Sequence, residues 1–481
     1  MRKKIITAIF ALLMLLPGCG GNEQEKTEQA GEIGKITDSD ETAAPETTER
    51  AFPENDYGGY EFKILARDND WDKMEVDFDE PQPEPVYDAV YRRNLAVEEL
   101  YNVKIEGIKT AGDIYGMVKN SYNAGDHQYD LVLTSMADSA RLGREGFLRS
   151  FTKIKGIDIK NSWWDQNIFD DLSINGNIYF MTGDMNVRDN DNIWIILFNK
   201  KLLQDLNLGS PYELVKNGKW TFDKMTEMGK EAIRDLSGDG VFDENDRYGL
   251  VTTSEGGKNF FYSAGLKVVE KNNLGDLGLV LAGEQSQNVI NKINDIFNKD
   301  NFTYYKVKSW QHAEQMFANG QSLFYGEIVT HIINLRYMDT DFGILPTPKY
   351  NEDQDNYYTH IASNGTALTL PDIIPDEERT GNIVEALGYY GQKYLTPAFN
   401  EVALVSKYAR DDESADMLGL IWGSVRYDVG YLFNIGGMSD ITTTLISRNT
   451  PENLQATYES SLGKAERDIE SLIEAYKQIQ N

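Results

Sequence analysis

Strand-like and helix-like segments alternate along the first part of this chain, and that alternation limits the folds open to it. Residues 60–66 alternate between apolar and polar side chains, as a strand does, and residues 86–101 carry apolar side chains at helical spacing. Two further strands are predicted at residues 103–108 and 129–134. This order favours an α/β architecture with a largely parallel sheet.

The alternation continues along the rest of the chain. Trp220 precedes a helix that Thr221 can cap, and we expect Trp220 to be a structural anchor. Further strands are predicted at residues 193–198, 249–253, 322–325 and 342–345, and further helices at residues 222–234, 284–298, 312–318, 383–395, 412–422 and 451–480.

The N-terminus is typical of a bacterial export signal. Three basic residues precede an apolar run at residues 5–16, which is too short to cross a bilayer as a helix of about 20 residues. The sequence Leu-Pro-Gly-Cys that ends at Cys19 resembles a lipobox, the cleavage site of bacterial lipoproteins. Cys19 is the only cysteine, so it has no disulfide partner. We expect a signal peptide at residues 1–18 and a lipid on Cys19, with a plain secretory signal as the alternative.

The composition separates a linker from a large acidic body. Residues 19–55 are rich in Glu, Thr, Gly and Ala and are expected to form a disordered acidic linker. The body of about 425 residues is too long for one core and suggests two lobes. The formal net charge of −30 argues against nucleic acid and against an anionic membrane surface as partners, although solubility alone would also explain it.

Several short sequences in the body resemble, in this order, the extracellular solute-binding family of ATP-driven importers, which includes maltose-binding proteins. They are VYDAVYRRN (86–94), YDL (129–131), residues 177–184, LFNKKLL (197–203), GKWTFD (218–223), GILPTPK (343–349), residues 394–416 and RYDVG (426–430). None is a catalytic signature. The resemblance implies a periplasmic-binding-protein-like (type II) clamshell, in which each lobe is a doubly wound sheet with flanking helices.

The resemblance also implies lobe boundaries and a function. Lobe 1 is expected at residues 58–188 plus 345–395 and lobe 2 at 192–340 plus 398–481, with crossings near 186–192 and 345–349. A solute, expected to be a mono- or oligosaccharide, would bind between the lobes of a monomer. The protein would be anchored to the bilayer by its N-terminal lipid on the extracellular face, would perform no chemistry, and would deliver the solute to the permease subunits of an ABC transporter.

A sugar site needs aromatic rings for the apolar faces of the sugar and polar side chains for its hydroxyls. The candidates share a position in an irregular stretch, after a strand or beside a crossing. They are Trp71, Ser135, Trp164, Asp184, Trp194, Tyr325, Glu327, Asn364, Trp422 and Arg426. Each Trp is weighed against the alternative that it belongs to the core.

An acidic stretch at residues 235–246 fits the calcium loop of an EF-hand. The predicted ligands are Asp235, Ser237, Asp239, the carbonyl of Val241, Asp243 and Asp246. Gly240 stands where the loop turns sharply, whereas Asp246 replaces the usual bidentate Glu. We expect a structural Ca²⁺ and no required cofactor, with an ion-free surface turn as the alternative.

The rival functional hypothesis is an anchored carbohydrate-active enzyme such as a glycoside hydrolase, which would need two carboxylates facing each other across a cleft. The chain contains no nucleophile elbow, no HExxH and no phosphate-binding loop, and its four His are scattered. A third hypothesis is an adhesin or calcium-stabilised scaffold. The resemblance favours the transport receptor.

Overall fold

The computed structural model describes residues 50–68, 76–272, 275–402 and 411–478. Its strands form two larger sheets and two short pairs. In chain order they are β1 (Tyr60–Arg67), β2 (Val103–Thr110), β3 (Leu131–Ser135), β4 (Leu148–Arg149), β5 (Phe180–Met181), β6 (Trp194–Asn199), β7 (Tyr248–Thr252), β8 (Val269–Lys271), β9 (Leu277–Leu279), β10 (Thr303–Tyr304), β11 (Ser322–Ile328), β12 (Phe342–Leu345), β13 (Thr359–His360), β14 (Thr366–Pro371) and β15 (Val425–Arg426).

Helices connect most of these strands, and side-chain caps begin several of them. Thr221 and Ser309, for example, accept hydrogen bonds from the first turns of their helices. The helices are α1 (Pro85–Tyr101), α2 (Ile114–Ala124), α3 (Met136–Arg144), α4 (Gln166–Leu172), α5 (Lys200–Asp205), α6 (Pro211–Lys216), α7 (Phe222–Lys230), α8 (Gly256–Ser263), α9 (Glu284–Asn298), α10 (Trp310–Ala318), α11 (Glu377–Tyr390), α12 (Thr396–Val402), α13 (Asp412–Gly423), α14 (Val429–Leu432), α15 (Ile441–Arg448) and α16 (Leu454–Gln478).

The first sheet has the strand order β2-β1-β3-β14-β4, and β5 also pairs with β14. Strand β1 is parallel to β2 and β3, whereas β14 is antiparallel to β3, β4 and β5. Every residue of β3 is buried. The parallel sheet predicted from the first alternating segments is therefore confirmed, with one strand of opposite direction added by the returning chain.

The second sheet has the order β10-β7-β11-β6-β12. Strands β7, β10 and β11 are parallel, and β6 is antiparallel to its neighbours β11 and β12. Helices α7, α10 and α13 pack on this sheet. Both sheets thus have three parallel strands followed by an antiparallel one, which confirms the predicted α/β architecture with two sheets and flanking helices.

The chain leaves the first sheet after β5, forms the second sheet from β6 to β12, and returns in β14. The outgoing and returning segments run side by side, because Ile193 and Ile361 form an antiparallel bridge. The amide of Ala362 donates to the carbonyl of Asn192 over 2.9 Å. This pairing lies between the two sheets. The exact lobe boundaries given above stay a prediction.

The C-terminal helix α16 reaches back to the first sheet. Its buried Tyr476 packs edge-to-face on Tyr179, next to β5, with ring centroids 4.5 Å apart, and lies 6.1 Å from the ring of Phe433. The resemblance assigned residues 398–481 to the second lobe. The end of α16 instead packs beside the first sheet, because the buried ring of Tyr476 contacts Tyr179 next to β5.

Candidate functional site

The carboxyl ends of parallel strands are the edges of α/β sheets where ligands bind. In the second sheet, β7 and β11 end at Thr252 and Ile328, and the antiparallel β6 begins at the same edge with Trp194, which pairs with Ile328. In the first sheet, β1 ends at Arg67 and β3 at Ser135. We call the residues at these strand ends, and those packed on them, the strand-end site.

The second sheet contributes a carboxylate, an imidazole and an indole to the strand-end site. Glu327 is 4% exposed, and its Oε1 accepts from the amide of Ile328 over 2.9 Å. His331 Nδ1 approaches that oxygen to 3.3 Å. The imidazole stacks on Trp310 with centroids 3.9 Å apart and planes 5° from parallel. Among the described residues, neither Glu327 Oε2 nor His331 Nδ1 has a hydrogen-bond partner, so the hydrogen-bonding capacity of both buried atoms is unused.

The first sheet contributes mainly structural groups to the site. Arg67 Nη2 donates to the carbonyl of Asn364 over 3.0 Å and to Thr366 Oγ1 over 3.4 Å. Ser135 Oγ caps α3 by accepting from the amide of Asp138 over 3.1 Å. The side chain of Asn364 is exposed. Ser135 and Asn364 therefore lie at strand ends, as predicted.

Two cations that form ion pairs, Lys258 and Arg188, lie near the crossing segments. Lys258 Nζ lies 2.8 Å from Glu255 and 2.9 Å from Asp440, and it also lies over the ring of Tyr431. The hydroxyl of Tyr431 accepts from the amide of Ser363 over 3.0 Å, which joins the returning chain to α14. Residues from widely separated parts of the sequence are thus held together here.

On the outgoing segment, Arg188 forms an ion pair of 2.9 Å with Asp191. The hydroxyl of Thr330, which follows β11, donates to the carbonyl of Asp191 over 2.7 Å. The outgoing crossing is therefore tied to the segment that carries His331.

A cavity of about 240 Å³ lies between α4, the end of α8 and the segments around β13 and β15. Lys267 Nζ lies 2.5 Å from Asp171 Oδ1 at its wall. The guanidinium of Arg426 stands 5.9 Å from the ring centroid of Tyr358. Arg426 thus lines this cavity. Its volume is just below the range of about 300–1,000 Å³ typical of sites for drug-sized ligands, so the cavity suits a small solute.

Two of the predicted ligand residues are aromatic side chains buried in the core. Trp164 is 2% exposed, and its Nε1 donates to Glu385 Oε2 over 3.0 Å. Tyr325 is fully buried and stacks on Phe317. Because these rings are enclosed by the core, they offer no face to a ligand. The burial of Trp164 agrees with the alternative that this residue belongs to the core.

Asp184 accepts from Thr396 Oγ1 over 2.5 Å and from Gln392 Nε2 over 2.9 Å, and burial raises its pKa. Trp422 is partly buried against Phe399, with centroids 5.6 Å apart. Both residues are used to pack helices around α12. Trp71, like Cys19, lies outside the described residues.

Sequence reasoning missed Trp310 and His331 as site residues. They are 21 positions apart and meet only because α10 runs back along β11, so nothing in the local pattern joins them. The available signal was the two-residue period of β11, which puts Tyr325 and Glu327 on the same face. The predicted strand ended at residue 325, whereas β11 continues to Ile328.

The acidic loop is closed by hydrogen bonds from backbone amides. Asp246 is fully buried and accepts from the amides of Leu236, Ser237 and Asp243. Asp235 accepts from backbone amides too, and those of Gly240 and Gly238 lower its pKa. Within the described ranges, no three His, Cys, Asp or Glu side chains are grouped as a metal site. Calcium binding at this loop stays a prediction.

Asp246→Ala is expected to lower the free energy of unfolding by about 2 kcal/mol, because three amides lose their acceptor. Asp239→Ala is the matched control, since Asp239 is exposed and accepts from one loop amide, that of Val241. It should cost at most about 0.5 kcal/mol. Urea unfolding with a calcium chelator present measures both. Equal losses in the two variants would contradict the bracing role of Asp246.

His360, in β13, is enclosed by aromatic rings. Its imidazole stacks on Tyr262 with centroids 4.4 Å apart and meets Tyr431 at 4.7 Å. Burial, followed by the charge of Lys258, holds the pKa of His360 well below its usual value of 6.5. The folded protein therefore keeps this imidazole neutral at pH values where an unfolded chain would protonate it.

Stability is expected to fall as the pH drops below 6.5, because the unfolded state then binds a proton that the folded state does not. The loss is up to about 1.4 kcal/mol per pH unit until the folded pKa is reached. Urea unfolding at pH 7, 6 and 5 should show a shallower pH dependence for His360→Gln than for the wild type. Parallel slopes for His360→Gln and the wild type would refute this account.

Within the described part of the chain, no helix is both long enough and apolar enough to cross a bilayer. No protein-family model and no curated protein sequence matches the chain. Solved structures match over most of its length. A cyclo/maltodextrin-binding protein complexed with maltotetraose has a TM-score of 0.56 at 13% identity, covering 86% of this chain and 96% of that one.

Two further structures give a similar result. An ABC transporter solute-binding protein from Thermotoga lettingae, bound with α-D-tagatose, has a TM-score of 0.52 at 13% identity and covers 86% of this chain and 100% of its own. An ABC substrate-binding protein from Listeria monocytogenes, in complex with cycloalternan, has a TM-score of 0.51 at 12% identity, covering 83% and 99%. At these identities the likeness concerns the fold. The chain has the two-lobed fold of ABC solute-binding proteins, as the sequence resemblance implied.

Proposed function

We propose that this protein captures a carbohydrate between its two lobes and delivers it to the permease of an ABC importer. The observation that carries the proposal is the strand-end site, where a buried carboxylate with an unpartnered oxygen lies beside an imidazole stacked on an indole. Carboxylate oxygens accept from sugar hydroxyls, and indole rings pack on the C–H faces of sugars. The three solved structures described above hold sugars in the same fold.

The mechanism follows from the two paired crossing segments. Contacts from both lobes to one ligand favour the closed arrangement, because a ligand shifts the equilibrium toward the state that it binds better. The crossing segments around Ile193 and Ile361 would take up the hinge rotation. The closed form would then dock on the permease. The protein would carry out no reaction.

A ligand panel tests this function. Glucose, galactose, mannose, maltotriose, cellobiose and galactobiose are compared with amino acids and dipeptides by thermal shift and calorimetry. At least one sugar should raise the melting temperature without being cleaved. A shift by amino acids or dipeptides and by no sugar would contradict the carbohydrate assignment, and the appearance of cleaved product would favour the hydrolase instead.

Two tryptophan variants locate the site. Trp310→Ala should weaken sugar binding at least about tenfold, in keeping with the loss of a stacked aromatic contact and its buried area. Trp422→Ala is the matched control, because Trp422 packs on Phe399 around α12. Affinity is measured on folded protein by calorimetry. A loss in Trp422→Ala with none in Trp310→Ala would move the site to the other tryptophan.

We also propose that the mature protein is a lipoprotein on the extracellular face of the membrane. A signal peptide, a lipobox ending in Cys19 and an acidic linker support this. Cys19→Ser should shift the protein from the membrane fraction to the medium without changing ligand affinity, because the diacylglycerol acceptor is lost. Fractionation followed by immunoblotting measures the shift. Retention of Cys19→Ser on the membrane would contradict lipid anchoring.

Calcium at the acidic loop is a separate proposal, supported by ligand spacing in the sequence. Its test is a thermal melt with calcium and with a chelator. A higher midpoint with calcium supports the site, and an unchanged midpoint removes it.

A further inference from the structure

Two cations near the crossing segments already face carboxylates. Lys258 already faces Glu255 and Asp440 at 2.8 and 2.9 Å, and Arg188 faces Asp191 at 2.9 Å. Each of these cations is therefore matched by at least one carboxylate within the described part of the chain. An anionic ligand group would have to displace one of these carboxylates before it could pair with either cation.

The carboxylate of Glu327 is in the opposite condition. Glu327 is only 4% exposed, and its Oε2 has no hydrogen-bond partner among the described residues. His331 Nδ1 lies 3.3 Å from its Oε1. A buried acceptor without a donor is costly, so the ligand should supply the donor.

A hydroxyl group meets this need better than an acidic group. It can donate to Glu327 Oε2 while its oxygen accepts from His331 Nδ1 in the tautomer that carries the proton on that atom. A carboxylate or sulfate on the ligand carries no donor. It would instead place a second negative charge beside a buried one, where like charges are screened least.

We infer that the strand-end site selects uncharged sugars and rejects acidic ones, with Glu327 as the residue that enforces the choice. This inference rests on the proposed function. The buried carboxylate of Glu327 sets the discrimination, and its Oε2, which has no hydrogen-bond partner among the described residues, sets where a sugar hydroxyl is held.

The test adds glucuronate, galacturonate and digalacturonate to the panel as acidic partners of glucose, galactose and galactobiose. In the wild type, each acidic sugar should bind at least about 100-fold more weakly than its neutral partner. Glu327→Gln keeps the shape and an acceptor oxygen but removes the charge, so it should narrow that ratio at least about tenfold. Glu466→Gln, exposed on α16, makes the same change in net charge and should leave the ratio unchanged.

The possible outcomes distinguish a failure of this inference from a failure of the proposed carbohydrate-binding function. Neutral sugars that bind while their acidic partners do not, with the ratio narrowed by Glu327→Gln, support the inference. The inference is overturned if an acidic sugar binds the wild type as tightly as its neutral partner. It is also overturned if folded Glu327→Gln shows the same ratio of neutral to acidic affinity as the wild type. Neither result contradicts the carbohydrate function. Binding of no sugar of either kind overturns both.

Discussion

Asp428→Ala is expected to lower the free energy of unfolding by about 4 kcal/mol, one of the two largest effects that we predict for a single substitution. The buried carboxylate accepts from the amides of Val268, Val269 and Gly430 over 2.8–3.1 Å and from the hydroxyl of Tyr262 over 3.1 Å. Alanine would leave these four donors without their acceptor. Urea unfolding at pH 7 measures the loss.

Asp428→Asn distinguishes the contribution of the hydrogen bonds to stability from the contribution of the side chain's shape. Each carboxylate oxygen accepts from two donors, so the amide nitrogen of Asn would face two donors on one side and still satisfy the two on the other. Its loss should be about half that of alanine. Asp416→Ala, exposed on α13, should cost at most about 0.5 kcal/mol. A cost for Asp428→Ala no greater than that control would show that water replaces the carboxylate.

Asp428→Ala should also affect the cavity near β13. Tyr262, which Asp428 holds, lines that cavity and stacks on His360. Burial raises the pKa of Asp428, even though three amides oppose the shift. The carboxylate therefore orders the turn before β8 at an electrostatic cost, and the loops around the cavity depend on it.

Elements with strong local signals could be predicted closely from the sequence. The predicted helix at residues 284–298 and the strand at 342–345 have the bounds of α9 and β12. The helix has one buried face at helical spacing, and the strand is a short apolar run that is buried throughout. Trp220 was also predicted correctly as an anchor, because it is fully buried just before the helix that Thr221 caps.

The strand-end site could be predicted only in part, because strand ends are visible in a sequence and tertiary contacts are not. Ser135 and Asn364 lie at strand ends as expected. Tyr325 was expected to reach the ligand, but β11 is three residues longer than its pattern indicated, so this ring packs in the core. The stacking of Trp310 on His331 depends on how α10 packs along β11, which no local period specifies.

The other large effect is expected for Trp220→Ala, which should destabilise the protein by about 4 kcal/mol. The indole is fully buried against Phe324, with centroids 5.4 Å apart, and its Nε1 donates to the carbonyl of Pro346 over 2.9 Å. The carbonyl of Trp220 accepts from the amide of Lys349 over 3.1 Å. Trp220 thus holds the segment that leaves the second sheet after β12. Urea unfolding measures the change.

Trp220→Phe distinguishes packing from hydrogen bonding. Phenylalanine keeps much of the buried area but leaves the carbonyl of Pro346 without the indole donor, so the loss should be about 1–2 kcal/mol from the hydrogen bond plus a smaller packing term. If both variants lost the same amount, the hydrogen bond to the returning chain would account for the whole effect. Because that chain leads toward Ile361 at the crossing, a loosened segment should also weaken sugar binding in the folded alanine variant. An unchanged affinity there would show that the crossing is positioned independently of its anchor.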